Sequence, residues 1–176
     1  MGEFAIGQSV RREEDPRLLT GGGDFLDDIN VYGQAWGYVL RSPHAMADIR
    51  SIDISTAKKA PGVLRVLTGE DWAAEGYGGL PCEDATKKKP DGSPMSHPEW
   101  PALVRDRVRL VGDHVAFVVA ETQLQARDAA ELIEIDYAPL PSVAGLEDAV
   151  APGAPTVWAD CPGNVCFFEE KGDAAA

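Results

Sequence analysis

The sequence has few cysteines and no long apolar run, and we expect no secretion signal. The three cysteines are Cys82, Cys161 and Cys166, and an odd number without a C-x-x-C pair argues against both a disulfide framework and a zinc site. Free thiols fit a reducing cytoplasm, where we expect the protein to reside. No stretch reaches the about 18 apolar residues of a membrane span, and no apolar run with a cleavage site opens the chain.

Positive charge is also scarce. Sixteen Lys and Arg stand against 29 Asp and Glu, so the net charge is −13. An anionic surface repels phosphate backbones, which argues against a nucleic-acid partner. The cationic run at 87–89 is interpreted as a solvated loop. The 176 residues suffice for one domain with a core, with or without extended arms.

The composition divides the chain into three regions. Residues 1–33 are predicted to be an N-terminal arm, 34–145 a folded domain with a long irregular loop at 75–101, and 146–176 a proline-interrupted, extended C-terminal tail. The glycines at 21–23 allow a flexible turn. A phosphate-binding loop would need a strand before them and a helix after them, and the pattern predicts neither.

Alternating apolar residues predict the first half of the domain. Residues 34–41 and 105–111 alternate as strands. Residues 48–67 are predicted to form a strand–helix–strand unit, in which a short helix at 56–60 ends at Pro61-Gly62.

A second strand–helix–strand unit is predicted more strongly. The continuous apolar run at 115–120 is typical of a strand buried on both faces. Thr122 and Gln125 have the spacing of a capping box, so a helix is expected to begin there. A partner strand follows at 133–137, and a crossover of this length predicts a right-handed unit with parallel strands. The expected inner face of the helix consists of Leu124, Ala129, Leu132 and Ile133.

No set of residues converges on an active site. None of His44, His97 and His114 has a second histidine or a cysteine at ligand spacing, so no metal site is predicted. Asp113 and His114 are neighbours and would point apart in a strand, which argues against a base with its orienting acid. Ser42 and His44 lack an accompanying acid. We therefore assign no catalytic, cofactor-binding or metal-binding residue.

Several motifs together carry a resemblance to a known family. These are IGQSVRREEDPRLLTGGGDFLDD, LRSPHAMADIRSIDISTAKKAPGVLRVLTGED and RVRLVGDHVAFVVAETQLQARDAAELIEIDYAPLPSV. They resemble the N-terminal domain of the large, molybdopterin-binding subunit of the molybdenum hydroxylases, the xanthine dehydrogenase and aldehyde oxidase family. The stretch GGLPCEDATKKKPDGSPMSHPEWPAL is similar to a loop of the carbon monoxide dehydrogenase large-chain branch. The motifs cover nearly all of the chain, and their order and spacing are more specific than each motif alone.

The resemblance implies a fold, the cofactors of a parent complex and a set of partner subunits. The fold is α+β, an α/β hammerhead with a mixed sheet, which agrees with the two strand–helix–strand units and the extended arms. The implied parent complex uses molybdopterin–molybdenum, iron–sulfur clusters and FAD. The implied partners are the remaining molybdopterin-binding domain or subunit, an iron–sulfur subunit and an FAD subunit.

The resemblance carries no catalytic residue onto this chain. In the family the pterin-binding motifs and the catalytic glutamate lie in later domains, which would begin near Gly163-Asn164 and Gly172-Asp173. We therefore expect no cofactor in this chain. The leading hypothesis is a structural and assembly domain that is inactive alone, either truncated or separately encoded.

A different class of function remains open from the residues. Four aromatic side chains, Trp72, Tyr77, Trp100 and Trp158, lie near predicted loops, which suggests a stand-alone binding module for a small molecule or a protein. An enclosed pocket would favour that module, whereas a broad apolar surface patch would favour the assembly domain.

Overall fold

The chain forms two separate units. The structure is a computed structural model that describes residues 7, 9, 11–81, 86–89, 91–169 and 171–172, and its contacts cluster into Met1–Gln34 and Ala35–Ala176. The first unit contains helix α1 (Asp15–Leu19), which has a proline in its first turn, and a 3-10 turn at Leu26–Asp28. Its exposed large apolar side chains are Leu19, Phe25, Leu26, Ile29, Val31 and Tyr32.

The second unit contains six strands and three α-helices among the described residues. The strands are β1 (Trp36–Arg41), β2 (Ala47–Asp53), β3 (Val63–Thr68), β4 (Arg107–Val108), β5 (His114–Ala120) and β6 (Glu134–Pro139). The helices are α2 (Gly69–Ala74), α3 (Gln123–Glu131) and α4 (Leu146–Val150), with 3-10 turns at Ala57–Lys59 and Pro162–Asn164. No helix in the described part of the chain is long and apolar enough to cross a bilayer.

The strands form two three-stranded sheets, in the orders β1-β5-β3 and β4-β2-β6. Every strand pairing among the described residues is antiparallel. The α+β class is confirmed, but the mixed sheet is found here as two antiparallel sheets. The predicted parallel pairing is wrong because each crossover connects different sheets: β2 leads to β3, and β5 leads to β6.

Strand β5 lies at the centre of the first sheet. It pairs with β1 along one edge and with β3 along the other, so that Phe117 lies between Val39 and Leu67. One face of this sheet packs against α3. Buried residues of β5, β3 and α3 form the main core, together with Ala57 and Ile133: Val66, Ala116, Val118, Ala120, Ala126, Ala129 and Ala130.

Helix α3 begins where the sequence predicts, but it packs on the sheet through other residues than predicted. The Thr122 hydroxyl accepts a hydrogen bond from the Gln125 backbone N–H at 3.2 Å, which confirms the N-terminal cap. Ala129 and Ile133 are buried as predicted, but Leu124 and Leu132 are 67% and 43% exposed. The prediction was wrong for the two leucines because the helix packs through alanines, whose small side chains allow a close approach to the sheet.

The second sheet has its own core cluster, which is joined to the first. Its buried residues are Ala47, Val104, Val108 and Val115. Ile52 and Ile135 are cross-strand partners on β2 and β6. Both pack against the two clusters, so this isoleucine pair connects the two halves of the core.

The predicted strand at 105–111 is reduced to Arg107–Val108. The Asp113 carboxylate accepts hydrogen bonds from the backbone N–H groups of Arg109 and Leu110. These two donors are therefore used within a turn rather than in a sheet ladder, which ends the strand early. In the described part of 75–101 the pairing consists of isolated bridges, such as Leu80 with Trp100.

Helix α2 is positioned by its first turn. The Asp71 carboxylate accepts from the backbone N–H and the hydroxyl of Thr68, at 2.8 and 2.9 Å. Gly69 lies so close to the backbone carbonyl of Val104 that a β-carbon would collide with it. The helix therefore holds Trp72 beside the segment that leads to β4.

Candidate functional site

The residues that look reactive in the sequence serve local structure. Asp113 is buried, and its carboxylate accepts from Arg109 N at 2.5 Å and from Leu110 N at 3.2 Å. The Nδ1 atom of His114 lies 3.3 Å from the carbonyl oxygen of Ala102. Asp113 and His114 thus contact different partners, as expected for adjacent residues at a strand start.

The Ser42 side chain contacts the backbone of His44 and not its ring. The Ser42 hydroxyl accepts from the His44 N–H at 3.0 Å and donates to the His44 carbonyl at 3.4 Å. The His44 ring packs against Tyr137, with ring centroids 4.7 Å apart. Burial raises the pKa of the Tyr137 hydroxyl. The Ser42 hydroxyl is engaged in a turn and does not face an imidazole nitrogen as a nucleophile would.

The cysteines show an arrangement that sequence reasoning missed. Cys82 lies outside the described residues, whereas the Sγ atoms of Cys161 and Cys166 are 3.6 Å apart. The intervening Pro-Gly-Asn is a turn signal and could have indicated that the two thiols meet. Among the described residues, no group of three or more His, Cys, Asp and Glu could hold a metal ion.

Three of the four aromatic residues singled out in the sequence line one cavity. It has a volume of about 280 Å³ and lies between α2, the loop that follows it and the C-terminal segment. Trp72, Tyr77 and Trp158 line it. The ring centroids of Trp72 and Tyr77 are 4.9 Å apart. Trp100 is not part of the lining, but its ring centroid lies 6.3 Å from that of Trp158. The volume lies just below the about 300–1,000 Å³ of common ligand pockets.

Arg109 gives this cavity its most distinctive polar group, and sequence reasoning did not identify it. Its guanidinium carbon lies 4.1 Å from the centre of the Trp158 ring. Its Nη1 donates to the Arg107 carbonyl at 3.1 Å, whereas its Nε is buried without a hydrogen-bond partner. Burial lowers the pKa of the Arg109 guanidinium. A buried donor without an acceptor is costly, and other atoms of the Arg109 side chain line the cavity.

Acidic side chains moderate the charge of the cavity. Asp106 and Asp160 also line it and act on Arg109 electrostatically. Arg105 is bound by both carboxylate oxygens of Glu70, at 3.0 and 3.2 Å. A ligand here would stack on aromatic rings and present one acceptor, because a strongly anionic ligand would meet the two aspartates.

The outer face of the first sheet is the second candidate surface. Phe117, Val39 and Leu67 form an apolar row across its three strands, on the face turned away from α3. All three are half-buried and line a concavity of about 240 Å³ together with Trp72, Ala102, Leu103 and His114. Gly37 leaves room for the Phe117 ring, which a β-carbon there would strike. The prediction that this strand is buried on both faces is therefore only half fulfilled within the described residues.

Comparisons with known proteins identify the fold family. Residues 20–141 match the family described as "Aldehyde oxidase and xanthine dehydrogenase, a/b hammerhead domain". The chain is 36% identical over 155 residues to the carbon monoxide dehydrogenase large chain of Afipia carboxidovorans, with 88% of this chain and 18% of the relative covered. It is 40% identical over 173 residues to the 6-hydroxypseudooxynicotine dehydrogenase complex subunit gamma of Paenarthrobacter nicotinovorans, with 97% and 20% covered.

A solved structure shows the same architecture. Quinoline 2-oxidoreductase from Pseudomonas putida 86 superposes with a TM-score of 0.68 and 42% sequence identity, over 82% of this chain and 17% of that chain. The chain therefore spans a fifth or less of the length of the relatives it matches. With its two sheets, α3 crossover and matching residues 20–141, this chain belongs to the a/b hammerhead domain family of aldehyde oxidase and xanthine dehydrogenase.

Proposed function

We propose that this chain is the N-terminal structural and assembly domain of a molybdenum hydroxylase large subunit and is not catalytic alone. The observation that carries the proposal is the apolar row Val39, Phe117 and Leu67 on the outer face of the first sheet. A central strand gains stability when both of its faces are covered. Within the described residues, β5 is fully covered on the face toward α3, whereas Phe117 on its outer face is only half-buried. We assign its cover to the catalytic domains that follow in related subunits.

The parent complex is proposed to use molybdopterin–molybdenum, iron–sulfur clusters and FAD. One similar structure is a Cu,Mo-CO dehydrogenase, and one relative is the gamma subunit of a dehydrogenase complex. The described cysteines of this chain do not fit an iron–sulfur cluster: Cys161 and Cys166 supply two sulfurs, whereas such a cluster takes four protein ligands. We therefore derive no catalytic step through such a cluster. The proposed partners are the remaining molybdopterin-binding domain, an iron–sulfur subunit and an FAD subunit.

Co-expression with the catalytic domains of a related large subunit tests the assembly role. The chain is expected to co-purify with them as a separate polypeptide. Phe117→Glu should weaken this association by at least about 30-fold, because a buried charge would replace a central apolar contact. Leu124→Glu is the matched control, since Leu124 is exposed on α3. Equal loss in both variants, or no association of the unmodified chain, would contradict the assembly role.

The metal content of the purified chain tests the second part of the proposal. We expect no stoichiometric molybdenum by elemental analysis and no pterin by fluorescence after denaturation. Stoichiometric molybdenum or pterin would show that the chain carries the cofactor itself and would overturn this part.

The aromatic cavity favours a second candidate function, a binding module for a small planar molecule. The supporting observation is the Arg109 guanidinium, which lies over the Trp158 ring where both residues line the cavity. Two small ligands can probe the cavity by tryptophan fluorescence titration. Benzamide supplies a neutral hydrogen-bond acceptor, and benzoate supplies a charged one. Saturable quenching by benzamide that is lost in Arg109→Met and kept in Arg105→Lys would support the module. Equal quenching in both variants would contradict it.

A further inference from the structure

The turn at residues 161–166 brings two thiols together in a built arrangement. The Sγ atoms of Cys161 and Cys166 are 3.6 Å apart. Cys161 is buried and Cys166 half-buried. A disulfide bond holds its sulfurs at about 2.05 Å. The remaining approach of the two sulfurs is therefore about 1.5 Å.

Asn164 holds the chain reversal between the two cysteines. It adopts a left-handed backbone with φ of 58°, which asparagine tolerates better than most residues. Its side-chain nitrogen donates to the carbonyls of Ala149 and Pro155, at 2.8 and 3.0 Å, and its side-chain oxygen accepts from Val157 N at 2.9 Å. These three bonds position the turn before any bond between the sulfurs exists.

A second segment bonds to the backbone of Cys166 and of Asp160, the residue before Cys161. Ser96 is buried, its backbone N–H donates to the Cys166 carbonyl at 2.9 Å, and its hydroxyl donates to the Asp160 carbonyl at 3.3 Å. The irregular segment around Ser96 thus bonds to the backbone on both sides of the dithiol. Closing the sulfurs would lock a turn that already supports this segment.

We propose that Cys161 and Cys166 are an oxidisable dithiol site that forms an intrachain disulfide with a small disulfide as the oxidant. The more exposed Cys166 thiolate attacks glutathione disulfide and releases one glutathione thiol. The Cys161 sulfur then displaces the second glutathione and forms the Cys161–Cys166 bond. The two electrons and two hydrogens lost by the protein thiols end on two glutathione molecules.

The surroundings make this pair slow to oxidise and hard to reduce. Burial, followed by the neighbouring Cys161, raises the pKa of the Cys166 thiol. The thiolate fraction is therefore small at neutral pH, which slows the attack, while a high-pKa thiol is also a poor leaving group once the bond has formed. The site suits a lasting closure of the turn, and in a reducing compartment it stays a dithiol.

Peptide mapping of the whole 176-residue chain tests the proposal. The Cys82→Ser background removes the third thiol. After incubation with glutathione disulfide at about pH 8.5, where more thiolate is present, free thiols are alkylated and the chain is digested with trypsin. The peptide 128–171 should be lighter by two hydrogens than its reduced form and carry neither alkyl group nor glutathione. Both free thiols per chain should be lost.

Two variants in the same background separate the steps. Cys161→Ala should accumulate a stable glutathione adduct on Cys166, which shows that Cys166 is reached first. Asn164→Ala should slow the second step, so that the adduct is seen before the bond. The proposal is overturned if both thiols of the Cys82→Ser chain remain alkylatable after prolonged oxidation. It is equally overturned if the glutathione adduct on Cys166 persists although Cys161 is present.

Discussion

At the scale of single residues, the core is built from small side chains. Among the described residues the largest fully buried side chains are Val108, Val115, Val118 and Cys161. Alanines fill much of the rest, including the inner face of α3. A core of this kind has little bulk to rearrange, so it tolerates a buried charge poorly.

Val118 is the sharpest test of this core. Its side chain is fully buried at the centre of β5. Val118→Asp is expected to abolish folding, because it would bury a carboxylate without a partner. Circular dichroism and thermal melting measure the outcome. Val111→Asp is the control, since Val111 is 64% exposed. A soluble Val118→Asp chain with an unchanged melting profile would show that this position is not core.

At the scale of elements, the local signals place the strands and helices, and hydrogen bonds set their ends. The predicted strands at 34–41 and 115–120 and the two strands of the unit at 48–67 are found within one or two residues. The predicted short helix at 56–60 is a 3-10 turn at Ala57–Lys59. Helix α2 shows how an end is held. Its first turn depends on one carboxylate, Asp71, bound to two donors of Thr68.

The α2 cap predicts a pH dependence of stability. The backbone and hydroxyl donors of Thr68 lower the pKa of Asp71. Because the pKa is lower in the folded state than in the unfolded state, the Asp71 carboxylate stabilises the fold at pH values above its unfolded-state pKa. This stabilisation is lost as the pH falls through the folded-state pKa. The unfolding free energies of the unmodified chain and of Asp71→Asn should differ at neutral pH and converge below about pH 4. If the difference in unfolding free energy between the two chains stays constant across that pH range, Asp71 is not the cause of the pH dependence.

At the scale of the whole molecule, the isoleucine pair on β2 and β6 connects the two sheets of the second unit. Ile52 and Ile135 pack against both core clusters. Because one pair serves both clusters, the two sheets should unfold together rather than in sequence.

Ile135→Ala tests this connection. It should lower the unfolding free energy by about 2 kcal/mol, since it removes a half-buried aliphatic side chain from two clusters. Denaturant melts followed by far-ultraviolet circular dichroism and by tryptophan fluorescence should shift together. Leu64→Ala, at a position 56% exposed on β3, should change stability by less than about 0.5 kcal/mol. Two separate transitions in the unmodified chain, or a loss in Ile135→Ala no larger than that in Leu64→Ala, would contradict this connection.

The candidate site was predictable only in part. Trp72, Tyr77 and Trp158 stand out in the sequence as aromatics near loops, and the structure brings all three to one cavity. Arg109 does not stand out, because its role comes from stacking on Trp158, which is distant along the chain. The two leucines of α3 fit a helical spacing, yet the helix rotates its alanines toward the sheet instead.

The sequence by itself determined the elements, the helix cap at Thr122 and, through its motifs, the hammerhead family. These features depend on residues within a few positions of one another, so local periodicity and capping chemistry suffice to predict them. Only the tertiary structure decided that each crossover joins two antiparallel sheets, that Phe117 on the outer face of β5 is only half-buried among the described residues, and that Cys161 meets Cys166. These outcomes depend on which surfaces pack across space, and a one-dimensional pattern does not record that choice.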